Sequence, residues 1–176
     1  MGHAEKANLA SDLRAFRAVA ETIPDAMITA DPDGTITYIN PGAQRMFDLS
    51  ADEAIGQSPA ILMPERLRDA HHQGFRRFLE TGETRIIGQV VELTGCRRDG
   101  TEFPIEVSLS AQMGPEGVES FTGIIRDMTD RKSSEEELRR SRRRLRDSEA
   151  LYHSLVDHLP MSILRKDTNG RITFGN

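Results

Sequence analysis

The sequence has little of what would cross-link it or hold it in a membrane. Its 176 residues include one cysteine, Cys96, and no tryptophan, and aromatic side chains make up only 5% of the chain. A single cysteine cannot form an internal disulfide, so we expect a reducing compartment, the cytoplasm. No apolar run approaches the roughly 18 residues of a transmembrane helix and no signal-peptide core is apparent, so we expect no membrane contact by this segment.

Common catalytic motifs are also missing from these residues. The sequence has no Gly-x-x-x-x-Gly-Lys phosphate loop, no His-Glu-x-x-His zinc motif and no Gly-x-Ser-x-Gly nucleophile elbow. The formal net charge of −5 argues against nucleic acid as a partner. We therefore expect that this segment carries no catalytic residue of its own.

One segment of the sequence occurs twice. Residues 16–40 read FRAVAETIPDAMITADPDGTITYIN, residues 152–176 read YHSLVDHLPMSILRKDTNGRITFGN, and the two align without a gap. A repeat of this length indicates one structural unit used twice. We therefore expect one complete domain at residues 14–130 and the truncated start of a second domain at residues 149–176.

Two helices are expected at the ends of the complete domain. An N-terminal amphipathic helix is predicted at residues 1–23, where apolar side chains recur every three or four residues. A connector helix is predicted at residues 129–158, where Leu138, Leu145 and Tyr152 lie seven residues apart among glutamates and arginines. One helix cannot bury so sparse a seam, so we expect a homodimer through the N-terminal and connector helices. The interleaved glutamates favour a solvated helix over a site for nucleic acid or lipid.

Between these helices the pattern predicts an α+β fold. Short apolar runs at residues 26–30 and 35–39 flank the turn Pro32-Asp33-Gly34 and predict a hairpin. A helix with one apolar stripe is predicted at residues 65–80. Three further strands, separated by glycine-containing turns, are predicted at residues 85–97, 103–111 and 118–127. We expect one antiparallel sheet with helices on one face.

Six short strings occur in order over about residues 14–131. They are Ile23-Pro24-Asp25-Ala26, Asp33-Gly34-Thr35-Ile36, Ile39-Asn40, Arg98-Asp99-Gly100-Thr101, Phe103-Pro104 and Arg126-Asp127-Met128-Thr129-Asp130-Arg131. Together they resemble the PAS sensory domain. The resemblance implies a five-stranded antiparallel sheet, a ligand pocket between the sheet and its helices, and a long connector helix that carries signals onward. It also implies that Asp127 and Thr129 couple the pocket to that helix.

A second set of strings narrows the resemblance. The chain contains Met63-Pro64-Glu65, His71, Arg85-Ile86-Ile87-Gly88 and Arg97-Arg98-Asp99-Gly100-Thr101. These are similar to the haem-binding PAS domains of FixL-type oxygen sensors. The resemblance implies haem b with His71 as the iron ligand and Arg77 near a haem propionate. Helical spacing separately places His71 on the apolar stripe of the predicted helix. That position also suits a core histidine of a haem-free domain, and Arg77 also suits a solvated helix end, so both interpretations stay open.

The remaining candidate pocket residues are aliphatic. The resemblance implies that the pocket is lined by some of Ile86, Ile87, Val91, Leu93, Val107, Leu109 and Ile124. Val91 stands where haem domains of this group carry an arginine that hydrogen-bonds bound oxygen, which implies weaker oxygen discrimination or preference for another gas. Flavin is not expected, because the segment after Asn40 lacks the cysteine that light-sensing flavin domains need. Without haem, the ligand would be an unknown small molecule or absent.

These observations lead to one expected function and two alternatives. We expect the sensory input and dimerisation module of a bacterial signal-transduction protein. By resemblance, the whole protein would be a sensor histidine kinase that acts on a response regulator in a two-component phosphorelay. One alternative is a ligand-free module for protein interaction and dimerisation. The other is the input domain of a diguanylate cyclase or a transcription regulator.

Overall fold

The computed structural model contains two compact units, Met1–Thr129 and Asp130–Asn176. The residues that it describes are 17–83, 86–115, 117–157 and 164–175. Within these ranges no helix is both long and apolar enough to cross a membrane.

The first unit is built on an antiparallel sheet of five strands. They are β1 (Ala26–Ala30), β2 (Ile36–Ile39), β3 (Val90–Cys96), β4 (Glu102–Gly114) and β5 (Gly117–Asp127). Their order in the sheet is β2-β1-β5-β4-β3, so the last strand of the unit lies in the centre between β1 and β4. This topology confirms the predicted α+β fold.

The chain between β2 and β3 is helical. It forms α2 (Pro41–Phe47), α3 (Ala51–Ala54), a 3₁₀ helix (Pro59–Leu62) and α4 (Glu65–Thr81). Ser50 and Glu53 form a capping box at the start of α3, and Gly82 ends α4 with a positive φ of 72°. Before the sheet, residues 17–22 are the described part of helix α1, and the rest of the predicted N-terminal helix lies outside the described residues.

The hydrophobic core is concentrated on the β1–β2 side of the sheet. Ile36 and Phe47 are each 1% exposed, and the Phe47 ring centroid lies 5.6 Å from that of Phe103. Paired residues of antiparallel strands point to the same face, so this helix-covered face continues through β5 and β4. In contrast, none of the 17 residues of α4 is fully buried. The helices therefore cover the two halves of the sheet unequally.

A buried asparagine ties α1, β1 and α2 together. Asn40 is 0% exposed, and its Oδ1 accepts hydrogen bonds from the backbone N–H groups of Met27 (2.8 Å) and Ala43 (2.8 Å). Its Nδ2 donates to the carbonyl oxygens of Ala20 (2.8 Å) and Asp25 (3.0 Å). Because the amide is satisfied on both ends, its burial carries little penalty, and the side chain caps the start of α2.

Strand β3 begins at Val90, whereas the sequence pattern predicted a strand from residue 85. A turn precedes it: the Gln89 N–H donates to the Ile86 carbonyl (3.1 Å), and Gly88 has a φ of 79°. Ahead of the strand, Ile87 makes an isolated bridge to Leu109. The glycine conformation turns the chain, so the apolar residues before it approach β4 without joining a continuous ladder.

The connector is a single helix of 29 residues, α5 (Thr129–Asp157). It begins where the sequence predicted and continues to the end of the described range. Every described side chain between residues 131 and 150 is exposed.

A hairpin of β6 (Leu164–Lys166) and β7 (Ile172–Gly175) repeats the β1–β2 hairpin. Its pairs Leu164–Gly175, Arg165–Phe174 and Lys166–Ile172 match those of the aligned residues, Ile28–Ile39, Thr29–Tyr38 and Ala30–Ile36. Leu164 and Ile172 are each 60% exposed, whereas the aligned Ile28 and Ile36 are 6% and 1% exposed. The second copy therefore has the local geometry of the first without a covered core among the described residues.

Candidate functional site

Helix α4 rests on the sheet through a row of aromatic rings. Phe75 and Phe78 place their ring centroids 5.1 Å and 5.7 Å from that of Phe121 on β5. The His71 ring stacks on Phe75 one turn earlier, with centroids 6.3 Å apart and an interplanar angle of 20°. The stripe predicted from helical spacing therefore faces the sheet, with His71 as its polar member.

His71 carries a buried polar atom that the protein does not satisfy. Its Nδ1 is inaccessible to solvent and has no hydrogen-bond partner. Burial, followed by the charge of neighbouring His72, lowers the pKa of His71 below its usual value of 6.5. The imidazole is therefore mainly neutral near pH 7. Unsatisfied buried nitrogens are rare in proteins, so this one marks a candidate ligand position.

On the helix-covered face of the sheet, strands β3 and β4 present an incompletely covered aliphatic surface. The pairs Val91–Val107 and Leu93–Ile105 put β3 and β4 side chains on the helix-covered face. Leu93 is nevertheless 42% exposed, and Ile86, just before β3, is 37% exposed. We call this surface, together with the adjoining face of α4, the α4 groove; its half-buried aliphatic members are Ile87, Val91, Val107 and Leu109.

Ile124 does not belong to the α4 groove, which corrects the expectation that it lines the pocket. It pairs with Met27 and Ser108, is 41% exposed, and lies between the buried residues Gly123 and Ile125. Successive strand residues point to opposite faces, so Ile124 points to the outer face of the sheet. Phe121 and Ile125 are the β5 residues on the helix-covered face. Two adjacent isoleucines gave the sequence no means of choosing between the faces.

Arg77 lies on the exposed side of α4. Its guanidinium makes no ion pair with another described residue, while its carbonyl oxygen accepts a hydrogen bond from Thr81 Oγ1 (2.7 Å). Arg77 is therefore solvated in this structure, and its pairing with a haem propionate stays a prediction. Arg85, named with it in the sequence, lies outside the described residues.

A polar junction connects the sheet to the start of α5. Asp127 Oδ1 accepts hydrogen bonds from Thr129 N–H (2.8 Å) and Thr129 Oγ1 (2.5 Å), while Asp127 Oδ2 pairs with Arg97 Nη2 (2.7 Å). Arg97 also donates to the Met46 carbonyl and lies 3.9 Å over the Phe103 ring. Burial raises the pKa of Asp127, but the hydrogen bonds from Thr129 and the ion pair with Arg97 outweigh it, so the pKa is lowered.

The two coupling residues predicted from the sequence are therefore in contact, and Arg97 joins them. Sequence reasoning assigned Arg97 no role because its partner is distant in the chain. Its local signals were its position before the turn at Asp99-Gly100 and its place in the string Arg97-Arg98-Asp99-Gly100-Thr101, and neither indicated a partner.

No group of three or more histidine, cysteine, aspartate or glutamate side chains is arranged to hold a metal ion within the described ranges. Side chains of this part of the chain thus form no multi-ligand metal site.

Comparisons with known proteins place these features in a family. The sequence of sensor protein FixL from Bradyrhizobium diazoefficiens is 42% identical over 123 residues, which cover 70% of this chain and 24% of FixL. Oxygen sensor protein DosP from Escherichia coli is 27% identical over 133 residues, covering 76% of this chain and 16% of DosP. The chain thus spans about a quarter or less of the length of these relatives.

The fold of the chain is also that of solved PAS domains. A PAS domain from Colwellia psychrerythraea superimposes with a TM-score of 0.58 at 22% identity, covering 67% of this chain and 98% of that domain. The family model described as the PAS fold matches residues 14–128, which include the sheet, α4 and Asp127. The chain belongs to the PAS family.

Proposed function

We propose that this chain is the sensory input module of a bacterial signal-transduction protein and that the signal is received in the α4 groove. The observation that carries the proposal is the buried, unpartnered Nδ1 of His71 on α4, the helix that lies on a sheet face whose aliphatic side chains stay partly exposed. A ligand that covers this surface would bury apolar area from both α4 and β3. The position of the groove beside β5 would link ligand binding to the strand that leads into α5.

Haem b fits the residues of this groove. His71 would hold the iron, since its imidazole is neutral and faces the aromatic and aliphatic side of α4. Val91, Leu93 and Leu109 would pack against the macrocycle, and the exposed guanidinium of Arg77 would pair with a propionate. Bound haem supplies an iron centre that takes up diatomic gases. The similarity to an oxygen sensor protein supports this assignment.

The groove's aliphatic lining bears on ligand choice. Val91 and its partner Val107, like Leu93 and Leu109, offer no hydrogen-bond donor from their side chains. A polarised ligand such as oxygen would gain no side-chain hydrogen bond from these residues. We therefore propose that the groove distinguishes oxygen from other gases only weakly.

The junction at Asp127 would pass the signal to α5. Displacing β5 would move Asp127, and with it the hydrogen bonds that fix Thr129 at the first residue of the helix. Arg97 would connect the same carboxylate to β3 and to the end of α2. A ligand that binds one arrangement of this junction more tightly than another would shift the population between them.

For the whole protein we propose a cytoplasmic, homodimeric sensor histidine kinase that acts on a response regulator. The matched part of the relatives is a small fraction of their length, so the output would be supplied by residues other than these. A diguanylate cyclase or transcription regulator would use the same input. We also propose that residues 149–176 begin a second PAS domain, supported by the register that β6–β7 shares with β1–β2.

A ligand-free dimerisation module is the second candidate. It is favoured by the exposed apolar side chains of α5, Leu138, Leu145, Leu151 and Tyr152, which need no ligand in the groove to pair with another helix. The two candidates differ in what the purified protein carries.

The visible absorption spectrum separates them. The protein is purified from cells supplied with haem precursor, beside His71→Ala and the matched variant His72→Ala, whose histidine is exposed. We expect a Soret band in the wild type and in His72→Ala, and its loss or a large shift in His71→Ala. A wild-type spectrum without visible absorption would contradict the haem assignment and leave the ligand-free module or a colourless ligand.

A further inference from the structure

Helix α4 is attached to the sheet at two separate points. Near its start, the guanidinium of Arg66 makes two hydrogen bonds to the carboxylate of Glu102 at the start of β4, with an Nη2–Oε2 distance of 2.6 Å. In its second half, the rings of Phe75 and Phe78 pack on Phe121 of β5. Because none of the 17 residues of α4 is fully buried, the orientation of the helix depends on these two attachments.

The ion pair of Arg66 and Glu102 has a specific geometry. Two guanidinium nitrogens each donate to a different carboxylate oxygen, the bidentate arrangement in which arginine holds a carboxylate most firmly. This hydrogen bonding lowers the pKa of Glu102 and raises the pKa of Arg66, which keeps both groups charged. The two side chains are 58% and 42% exposed, so we expect the pair to contribute little to the free energy of unfolding and to act through the orientation of α4.

The two attachments hold opposite sides of α4. Arg66 and Phe75 are nine residues apart. This spacing is about two and a half helical turns, so their side chains leave the helix in opposite directions. Arg66 reaches the start of β4, whereas Phe75 meets the β1–β2 turn at Gly34. Together they oppose rotation of the helix about its own axis, which the buried Pro64 at its start cannot do alone.

His71 lies between the two attachments, five residues after Arg66 and four before Phe75. Rotation of α4 about its axis would turn the imidazole away from the sheet. We propose that Arg66 and Glu102 are positioning residues for His71, because their ion pair fixes the rotation of α4 and with it the direction in which the imidazole meets a ligand. This inference rests on the proposed function, in which His71 receives that ligand.

The rate of haem release from the loaded protein tests the proposal. Arg66→Gln and Glu102→Gln each remove one partner, and the double variant Arg66→Glu with Glu102→Arg restores the pair with its charges exchanged. Arg98→Gln is the matched control, because Arg98 pairs with Glu53 of α3 at similar exposures, 58% and 39%. We expect haem transfer to excess apomyoglobin to be about three- to fivefold faster in the single variants, and within a factor of about two of the wild type in the double variant and the control.

A second measurement uses the ligand-free protein. Diethyl pyrocarbonate modifies accessible imidazole nitrogens, and fragment mass spectrometry distinguishes modified His71 from modified His72. We expect His71 to react faster in Arg66→Gln and Glu102→Gln than in the wild type, while the reaction of His72 and the urea midpoint of unfolding stay unchanged. If the ion pair only stabilised the fold, its loss would lower the urea midpoint and leave the reaction rate of His71 unchanged.

The two measurements separate this inference from the haem assignment. Single variants that release haem and react at His71 at wild-type rates would overturn the positioning role and leave the haem assignment intact. A double variant that stays as fast as the single variants would also overturn the role, because the change would then not come from the ion pair. A wild type that takes up no haem would overturn the haem assignment, and the reaction of His71 in the ligand-free protein would then decide the positioning role.

Discussion

His71 and Arg97 are the two residues whose chemistry the fold has shaped most. The ring of His71 is neutral because burial opposes its charge, and its Nδ1 lacks a partner. Arg97, by contrast, holds a carboxylate, a carbonyl and an aromatic ring at once. His71 keeps a nitrogen without a hydrogen-bond partner, which suits a ligand site. Arg97 contacts three partners, which suits a fixed junction.

The neutral state of His71 gives the haem-free protein a predictable pH dependence. Its pKa is lower in the folded protein than its usual 6.5, so the unfolded chain binds more protons as the pH falls through 6.5. The free energy of unfolding should therefore fall between pH 7.5 and pH 5.5, measured by urea titration. His71→Phe, which keeps the stacking on Phe75, should flatten this slope, whereas His72→Gln should preserve most of it, because burial is the larger cause of the lowered pKa. An unchanged slope in His71→Phe would show that other groups cause it.

Removing Arg97 should destabilise the first unit. Arg97→Gln removes the ion pair with Asp127 Oδ2 and the charged donor to the Met46 carbonyl, and we expect a loss of about 1–3 kcal/mol in the free energy of unfolding. Arg98→Gln is the control, because Arg98 is an exposed neighbour whose pair with Glu53 is solvated, and it should change stability by less than about 0.5 kcal/mol. Equal losses in urea titrations of the two variants would contradict the junction's importance.

At the level of elements, the position of α4 depends on the β1–β2 turn. Gly34 adopts a φ of 80°, and a Cβ at this position would lie 3.1 Å from Phe75 Cε1. The turn therefore needs glycine both for its backbone conformation and for the approach of the α4 ring. Because Phe75 also packs on Phe121, the turn, α4 and β5 all meet at the Phe75 ring.

Gly34→Ala should cost more than a glycine substitution without this contact. Gly56 has a similar φ of 84° with open space around it, so Gly56→Ala reports the backbone cost alone, about 1–2 kcal/mol. We expect a larger loss of unfolding free energy for Gly34→Ala, and a smaller difference between the two substitutions when Phe75→Leu is present. Equal losses at the two glycines would mean that α4 moves away from the turn without penalty.

For the whole molecule, we propose that α5 decides whether two copies associate. Four apolar side chains of this 29-residue helix are more than half exposed, and the helix starts directly after the Asp127 junction. The energetic contribution of this stripe depends on a second copy, because one helix cannot cover it.

Leu145→Asp should separate the dimer. It places two carboxylates at the middle of the seam, and the dissociation constant should rise about tenfold or more, since each tenfold change needs only about 1.4 kcal/mol. Arg143→Asp makes an equal side-chain replacement on the outer face and should leave association within a factor of about three. Sedimentation velocity at several concentrations measures both. Unchanged sedimentation of Leu145→Asp would exclude this stripe from the interface.

Much of the first unit was predictable from short stretches of sequence. The hairpin turn at Gly34, the capping box at Ser50, the end of α4 at Gly82 and the start of α5 at Thr129 all depend on residues within one or two turns of the chain. Their geometry follows from local backbone preferences and hydrogen bonds, which act whatever the rest of the chain does. The facing of His71 toward the sheet followed from the same helical periodicity.

The parts that the sequence did not reveal depend on partners far along the chain. Arg97 meets Asp127 only because β3 and β5 flank β4 in the sheet. Ile124 points outward because its pairing with Met27 and Ser108 fixes which face of the sheet it takes. The sequence alone could not show this, because Ile124 and Ile125 are adjacent and equally apolar.

The sequence by itself determined the order and type of the elements and the polarity of α4, because these arise from neighbouring residues. Only the tertiary structure decided which side chains line the α4 groove and which atom of His71 is left without a partner. Strand pairing sets which face each β side chain takes, and packing sets which polar atoms are buried. Both depend on contacts that exist only once the sheet has formed.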